Sequence, residues 1–407
     1  MDPVQKHNTI VSDGKGYYAY VTGVFIYQDL SFCFNETVEK EKHPETMWTD
    51  YRYKLDSTKI YTKYFAGTGI AYTPFFLVAH GISKLMGWES DGYTPIYHGA
   101  IIIASLCYMA LTMLFFGKIL ERYRISHWVK VFVTVLVYFG TNWFYYTTWE
   151  SSLSHIYSAA FIAMFWYGCM LFLERVSSAR ALLLGLLLGM ILLIRPVNVL
   201  VVLFLPTLFP SWNSFWSFLK ERVWTVSRAG LALLACLLVV SVQFVLYKIQ
   251  IDQWYIYSYS HEKFFFMQPH IFDFLFSIRK GFFVYAPIFI FSLGGLVLWY
   301  RSNKFSALWW VFSMVVITYI FSSWHMWWYG GTLGTRVFIE FYIFWSIPLA
   351  KLVQWLSGKA RLVVLTLLCL LAFNSVLQQY QYRKAILHYD SMTWQNYKDI
   401  FLYPIIP

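Results

Sequence analysis

Charge is what this chain most conspicuously lacks. Only 13% of its 407 residues are charged and 58% are hydrophobic, against roughly 25% and 45–50% in an ordinary soluble domain. A soluble globular protein is excluded. Cysteine is scarce too: of five, Cys107, Cys169, Cys236 and Cys369 lie inside apolar runs and only Cys33 stands in a polar stretch. That spacing offers neither a disulfide framework nor a CxxC metal pair. Acids are outnumbered, 21 to 32, giving a formal net charge of +11. The excess does not point to nucleic acid, because the basic residues sit in short turns between apolar runs and form no basic face.

What is abundant is apolar sequence and aromatic rings, the latter 22% of the chain with 19 Trp and 32 Tyr. Such rings favour the membrane–water boundary. Apolar runs of near the ~20 residues that a bilayer requires fall at about 96–120, 128–148, 152–174, 229–250, 284–301, 306–324, 337–357 and 361–380. The run 181–209 is longer and is interrupted by "IRPVN". Arg195 is costly in hydrocarbon and Pro196 removes a helical hydrogen bond, so the run reads as two short helices, up and back. Only then do five basic turns share one side: Lys118 to Lys130, Arg175 and Arg180, Lys220 to Arg228, Arg301 and Lys304, and Lys351 to Arg361. The positive-inside rule makes that side the cytoplasm.

Three parts follow. Residues 1–95 form a first extracytoplasmic loop with interfacial helices, 96–380 a transmembrane bundle containing the re-entrant pair 181–209 and an outer loop 251–283, and 381–407 an extracytoplasmic tail. Residues 65–87 are long enough to cross a membrane, but Gly67, Gly69, Pro74, His80 and Lys84 suit a helix lying at the interface.

Four stretches in this order carry a family resemblance: "SDGKGYYAY" from Ser12, "KYFAGTGIAYTPFFLVAHGISKLMG" from Lys63, "LLLGLLLGMILLIRPVNVL" from Leu182, and "WHMWWYGGTLGTRVFIEFYIFWSIPLA" from Trp324. They resemble the first-loop acidic motif, the following interfacial helix, the re-entrant pair and the late Trp, Gly-Gly, Gly-x-Arg turn of GT-C glycosyltransferases, in the branch of protein O-mannosyltransferases and lipid A aminoarabinose transferases. The resemblance implies an all-α polytopic membrane fold with about 10 transmembrane helices and transfer of a sugar from a polyprenyl-phosphate carrier. Two departures stand out. Family members begin with a transmembrane helix, but no apolar run or signal peptide precedes Asp13, so either the start is truncated or mis-set or that helix is missing; and Gly14 stands where relatives often have a second acid.

The chemistry suits one carboxylate. A phosphate leaves without needing a strong acid, whereas the attacking hydroxyl needs a base, which Asp13 can supply with inversion at the sugar carbon. The phosphate needs cations, and the outer-side candidates are Arg336, Lys63, Arg279, Lys280 and Arg195. Each residue has a plainer reading. Asp13 beside Gly14 is ordinary turn chemistry; Lys15 reads as a solvated loop charge; Arg279, Lys280 and Arg336 could anchor helix ends. Glu150 and His155 are candidates for a second acid or, with Asp13, a divalent metal site. Their five-residue spacing is no metal signature, and the metal is left unassigned. Glu340, four residues after Arg336, reads as its ion-pair partner one helical turn away.

The reading is an inverting, polyprenyl-phosphate-dependent glycosyltransferase in a bacterial inner membrane, acting at the periplasmic face on a lipid, glycan or protein acceptor. Its rivals are a transporter or flippase for a lipid-linked glycan, disfavoured because no second broken helix pair echoes "IRPVN", and a non-catalytic GT-C-like subunit.

Overall fold

A computed structural model describes residues 8–44, 50–56, 59–223, 226–259 and 262–403. The expected absence of a helix before Asp13 falls largely on residues 1–7, outside the described residues. In chain order the helices are α1 (Asp13–Thr22), α2 (Gly67–Leu85), α3 (Pro95–Arg122), α4 (His127–Phe139), α5 (Trp143–Thr148), α6 (Ser154–Glu174), α7 (Ser178–Ile194), α8 (Trp212–Phe218), α9 (Val226–Ile251), α10 (Ile271–Phe276), α11 (Phe282–Tyr285), α12 (Ile290–Ser302), α13 (Lys304–Ser322), α14 (Tyr342–Trp355), α15 (Gly358–Arg383) and α16 (Trp394–Ile400). Among the described residues the fold is all-α apart from one hairpin not expected from the sequence, in which Arg52–Lys54 pairs antiparallel with Ile60–Thr62.

The chain is an integral membrane protein. Among the described residues, six helical stretches are long and apolar enough to cross a bilayer: α3, α6, α13, α15, Arg228–Ile251 and Arg336–Trp355. Shorter apolar helices, α4, α7 and Pro287–Ser302, pack among them. Two expected spans are broken. The run 128–148 parts after Phe139 into α4 and α5, and 284–301 is interrupted at Pro287, whose missing N–H ends α11 before α12 begins.

The expected break at Arg195 is present, with a different second arm. Arg195 itself is extended, and Pro196–Leu208 is a 3₁₀ helix. At three residues per turn, Asn198, Val201, Phe204 and Thr207 share one face. All four are buried. A bend of 106° then separates this arm from Trp212–Val223.

Contacts between turns fix the two ends of the bundle. Arg122 bonds Glu174, Gln354 accepts from the Ser126 N–H, Lys351 lies over Tyr123 and Trp299, and Arg361 lies over Trp128. Four of the five basic turns therefore meet at one end. Helix α7 starts near that end and delivers Arg195 to the other, where α1 packs on α2 through Tyr18, Tyr72 and Phe76, and Phe76 in turn meets Tyr97 of α3.

Candidate active site

Asp13 is the first residue of α1, not a turn residue as its plainer reading had it. The glycines after it serve close approach: a Cβ on Gly14 would overlap Ser152 Oγ, and one on Gly16 would overlap the Tyr64 ring. No second acid fits at position 14. Lys15, read as solvated, is buried and pairs with buried Glu39 at 3.3 Å. Glu39 also accepts from Tyr51 at 2.6 Å and Tyr93 at 2.7 Å. This knot fixes α1 two residues from Asp13.

The Asp13 carboxylate faces two partners. Arg336 Nη1 lies 2.9 Å from Oδ2, and Tyr64 donates its hydroxyl to Oδ1 at 2.8 Å. Burial pushes the Asp13 pKa up, but the Arg336 guanidinium, the Tyr64 hydroxyl and Lys63 outweigh it and hold it below the ordinary carboxylate value. Tyr64 was not anticipated. It is 51 positions from Asp13, and only the packing of Gly16 against its ring betrays the pairing.

Arg336 is aimed by the turn before it. Gly330 and Gly334 have positive φ, 74° and 61°, which glycine tolerates freely. Asn142 donates to Leu333 O at 2.8 Å, Tyr146 accepts from the Leu333 N–H at 3.2 Å, and Lys280 donates to Thr332 O. The segment Arg336–Phe341 is a 3₁₀ helix. Residues four apart then no longer align, which corrects the expected Arg336–Glu340 pair. Glu340 instead bonds His155 Nδ1 at 2.9 Å and lies 3.5 Å from Arg195 Nε. Arg195 Nη1 also lies 3.1 Å from His155.

A cavity of about 550 Å³ collects Asp13, Tyr17, Lys63, Arg195, Tyr259, Trp324 and Arg336 on its wall. Three of the five proposed cations are thus brought to the carboxylate. Lys63 reaches it already paired with Glu262 at 2.6 Å. Arg279 and Lys280 do not line it. Arg279 bonds Asp390 at 3.0 Å and lies 3.6 Å from the centre of the Trp328 ring, and buried Lys280 joins Thr332 O to Tyr389 O. Both tie the tail to the glycine turn.

Glu150 and His155 do not line the cavity either, although the charge of each is felt at Asp13. Glu150 accepts from Tyr145 at 3.0 Å, and burial lifts its pKa to about 7. His155 is held by Glu340 and Arg195, which occupies its ring. Among the described residues, no three His, Cys, Asp or Glu side chains gather as a metal set. The candidate metal trio Asp13, Glu150 and His155 therefore does not assemble.

No protein-family model matches the chain. No curated protein matches it either. Among solved structures it is similar to the crystal structure of ArnT from Cupriavidus metallidurans in the apo state, with a TM-score of 0.53 and 12% identity over 96% of this chain and 63% of that one. The chain has the GT-C fold. A second structure, the archaeal oligosaccharyltransferase AglB from Archaeoglobus fulgidus in complex with an inhibitory peptide and a dolichol-phosphate, aligns at a TM-score of 0.44 and 12% identity, over 96% of this chain and 53% of that one. The chain thus spans less than two thirds of either protein. Within the GT-C fold, the site lies at the end of the bundle away from the basic turns.

Proposed function

We propose that this chain is an inverting glycosyltransferase that moves a sugar from a polyprenyl-phosphate carrier to an acceptor hydroxyl on a lipid, glycan or protein. The observation that carries the reading is the meeting of the Asp13 carboxylate with Arg336, Arg195 and Lys63 around one cavity, where Glu262, the other carboxylate on its wall, is paired with Lys63. As the acceptor oxygen attacks the anomeric carbon, Asp13 takes its proton. The bond from that carbon to the phosphate oxygen breaks, and its electron pair leaves on the phosphate. Arg336 and Arg195 supply fixed positive charge where that negative charge grows. The GT-C fold, that of membrane glycosyltransferases, supports the same reading by analogy. Basic turns clustered at the far end support an extracytoplasmic site, in a bacterium the periplasmic face of the inner membrane.

Binding tests the reading directly. Protein in nanodiscs should bind polyprenyl monophosphate, and Arg336→Gln or Arg195→Gln should each weaken binding roughly 10- to 100-fold, the worth of a charge-assisted hydrogen bond. Equal binding by the doubly substituted protein would contradict it.

A further inference from the structure

Residues 263–272 cross the end of α13 as a strap. Phe265 N–H donates to Ser323 O at 2.6 Å, His270 N–H to Ser322 O at 3.0 Å, and His325 N–H to Lys263 O at 3.0 Å. Phe264 and Trp324 form an antiparallel bridge, and Tyr319 donates its hydroxyl to Phe266 O at 2.7 Å. With its backbone tied on this side, the strap turns at 265–268 and presents Phe265, Phe266, Met267 and Phe272 outward. Met267 is 94% exposed and Phe272 73%. Four large apolar side chains held open in this way need a cover.

The neighbouring helix shows what the cover is. Leu308, Val311, Phe312, Val315 and Tyr319 are exposed on α13, at the three- and four-residue spacing of one helix face. In a membrane-spanning helix such a face meets hydrocarbon. Tyr319 closes the stripe and stacks on Phe266, their centroids 5.9 Å apart, so the strap's apolar patch continues the lipid face just past the end of the span. Lys263 lies there too, its ammonium 5.6 Å from the Phe265 ring centre. Apolar rings below a cation are the arrangement of an interfacial anchor.

We infer that residues 263–272 are seated in the bilayer, with Phe265, Phe266, Met267 and Phe272 among the upper acyl chains of one leaflet and Lys263 level with its phosphates. The inner side of the strap, at Phe264, and its partner Trp324 line the 550 Å³ cavity. One cavity wall therefore stands in the membrane interface. The seating does not depend on sugar transfer, and it can fail or hold independently of that reading.

The experiment places a single cysteine at Met267, Phe272 or Thr37 in a full chain whose native cysteines have been replaced. Each is labelled with the environment-sensitive fluorophore NBD and reconstituted in nanodiscs, with unchanged circular dichroism required of every variant. Thr37 is exposed in the charged stretch "NETVEKEK" and serves as the water-facing control. Labels at 267 and 272 should emit blue-shifted light and lose most of it when the lipids carry bromine high on their acyl chains, while the label at 37 should do neither. Unquenched emission at 267 and 272 would overturn the inference, whether red-shifted, as in water, or blue-shifted, as under a covering protein.

Discussion

Arg336 Nη1 sits 2.9 Å from Asp13 Oδ2, so the cation proposed to hold the phosphate also neutralises the carboxylate proposed to take the proton. A phosphate that draws the guanidinium toward itself makes Asp13 a stronger base. The acidic limb of kcat/KM, which reports the free protein, should therefore lie below the ordinary carboxylate range, and Arg336→Gln should move it upward. The sign for stability follows the same shift: Asp13's contribution is complete above its ordinary pKa, about 3.9, and is lost as pH falls through its lowered native pKa. An acidic limb unmoved in Arg336→Gln would dissociate the pair from the base.

Gly14 is a packing residue. Gly14→Ala should lower both melting temperature and transfer rate, because the new Cβ overlaps Ser152. Adding Ser152→Gly opens that space and should recover part of both losses. A Gly14→Ala protein as stable and active as the parent would show that α1 does not pack where described.

Glu340 is the anion that Arg195 and His155 share inside the bundle. Glu340→Leu removes the buried anion shared by buried His155 and the partly exposed Arg195 guanidinium, and should cost about 1–3 kcal/mol in unfolding free energy. Denaturant unfolding in micelles measures it. Donor affinity should fall as well, since Arg195 loses its hold. A neutral substitution would mean that Arg195 finds its charge balance elsewhere.

Lys280 and Glu150 give opposite slopes of stability with pH. Burial lowers the Lys280 pKa from 10.5 to about 7, so the native state binds fewer protons than the unfolded chain between those values, and stability should rise with pH there. Burial raises Glu150 from 4.5 to about 7; the native state binds more protons across that window, and stability should fall with rising pH. Melting temperatures across pH should lose the second slope in Glu150→Gln and the first in Lys280→Met. Slopes retained in the variants would assign them to other groups.

The helical membrane architecture and the placement of Asp13 and Arg336 were legible in the sequence, because apolar run lengths and glycine-flanked charged motifs survive without knowledge of packing. The partners were not. A cation beside a span reads alike whether it faces a cavity, as Arg336 does, or a tail, as Arg279 does through Asp390. Glu340 was assigned to Arg336 by α-helical spacing, and the 3₁₀ geometry of Arg336–Phe341 turned it to His155. Lys15 looked solvated because its acid, Glu39, lies 24 positions on, in a segment whose composition reads as a charged loop.

The most direct measurement compares single-turnover sugar transfer by Asp13→Asn and wild-type protein in nanodiscs loaded with a labelled polyprenyl-phosphate sugar. Asparagine keeps the shape and can still meet Arg336 and Tyr64, but it cannot take a proton. Transfer should fall by about 10²–10⁴-fold, with donor binding preserved. Transfer within a few-fold of wild type would contradict the assignment of Asp13 as the base.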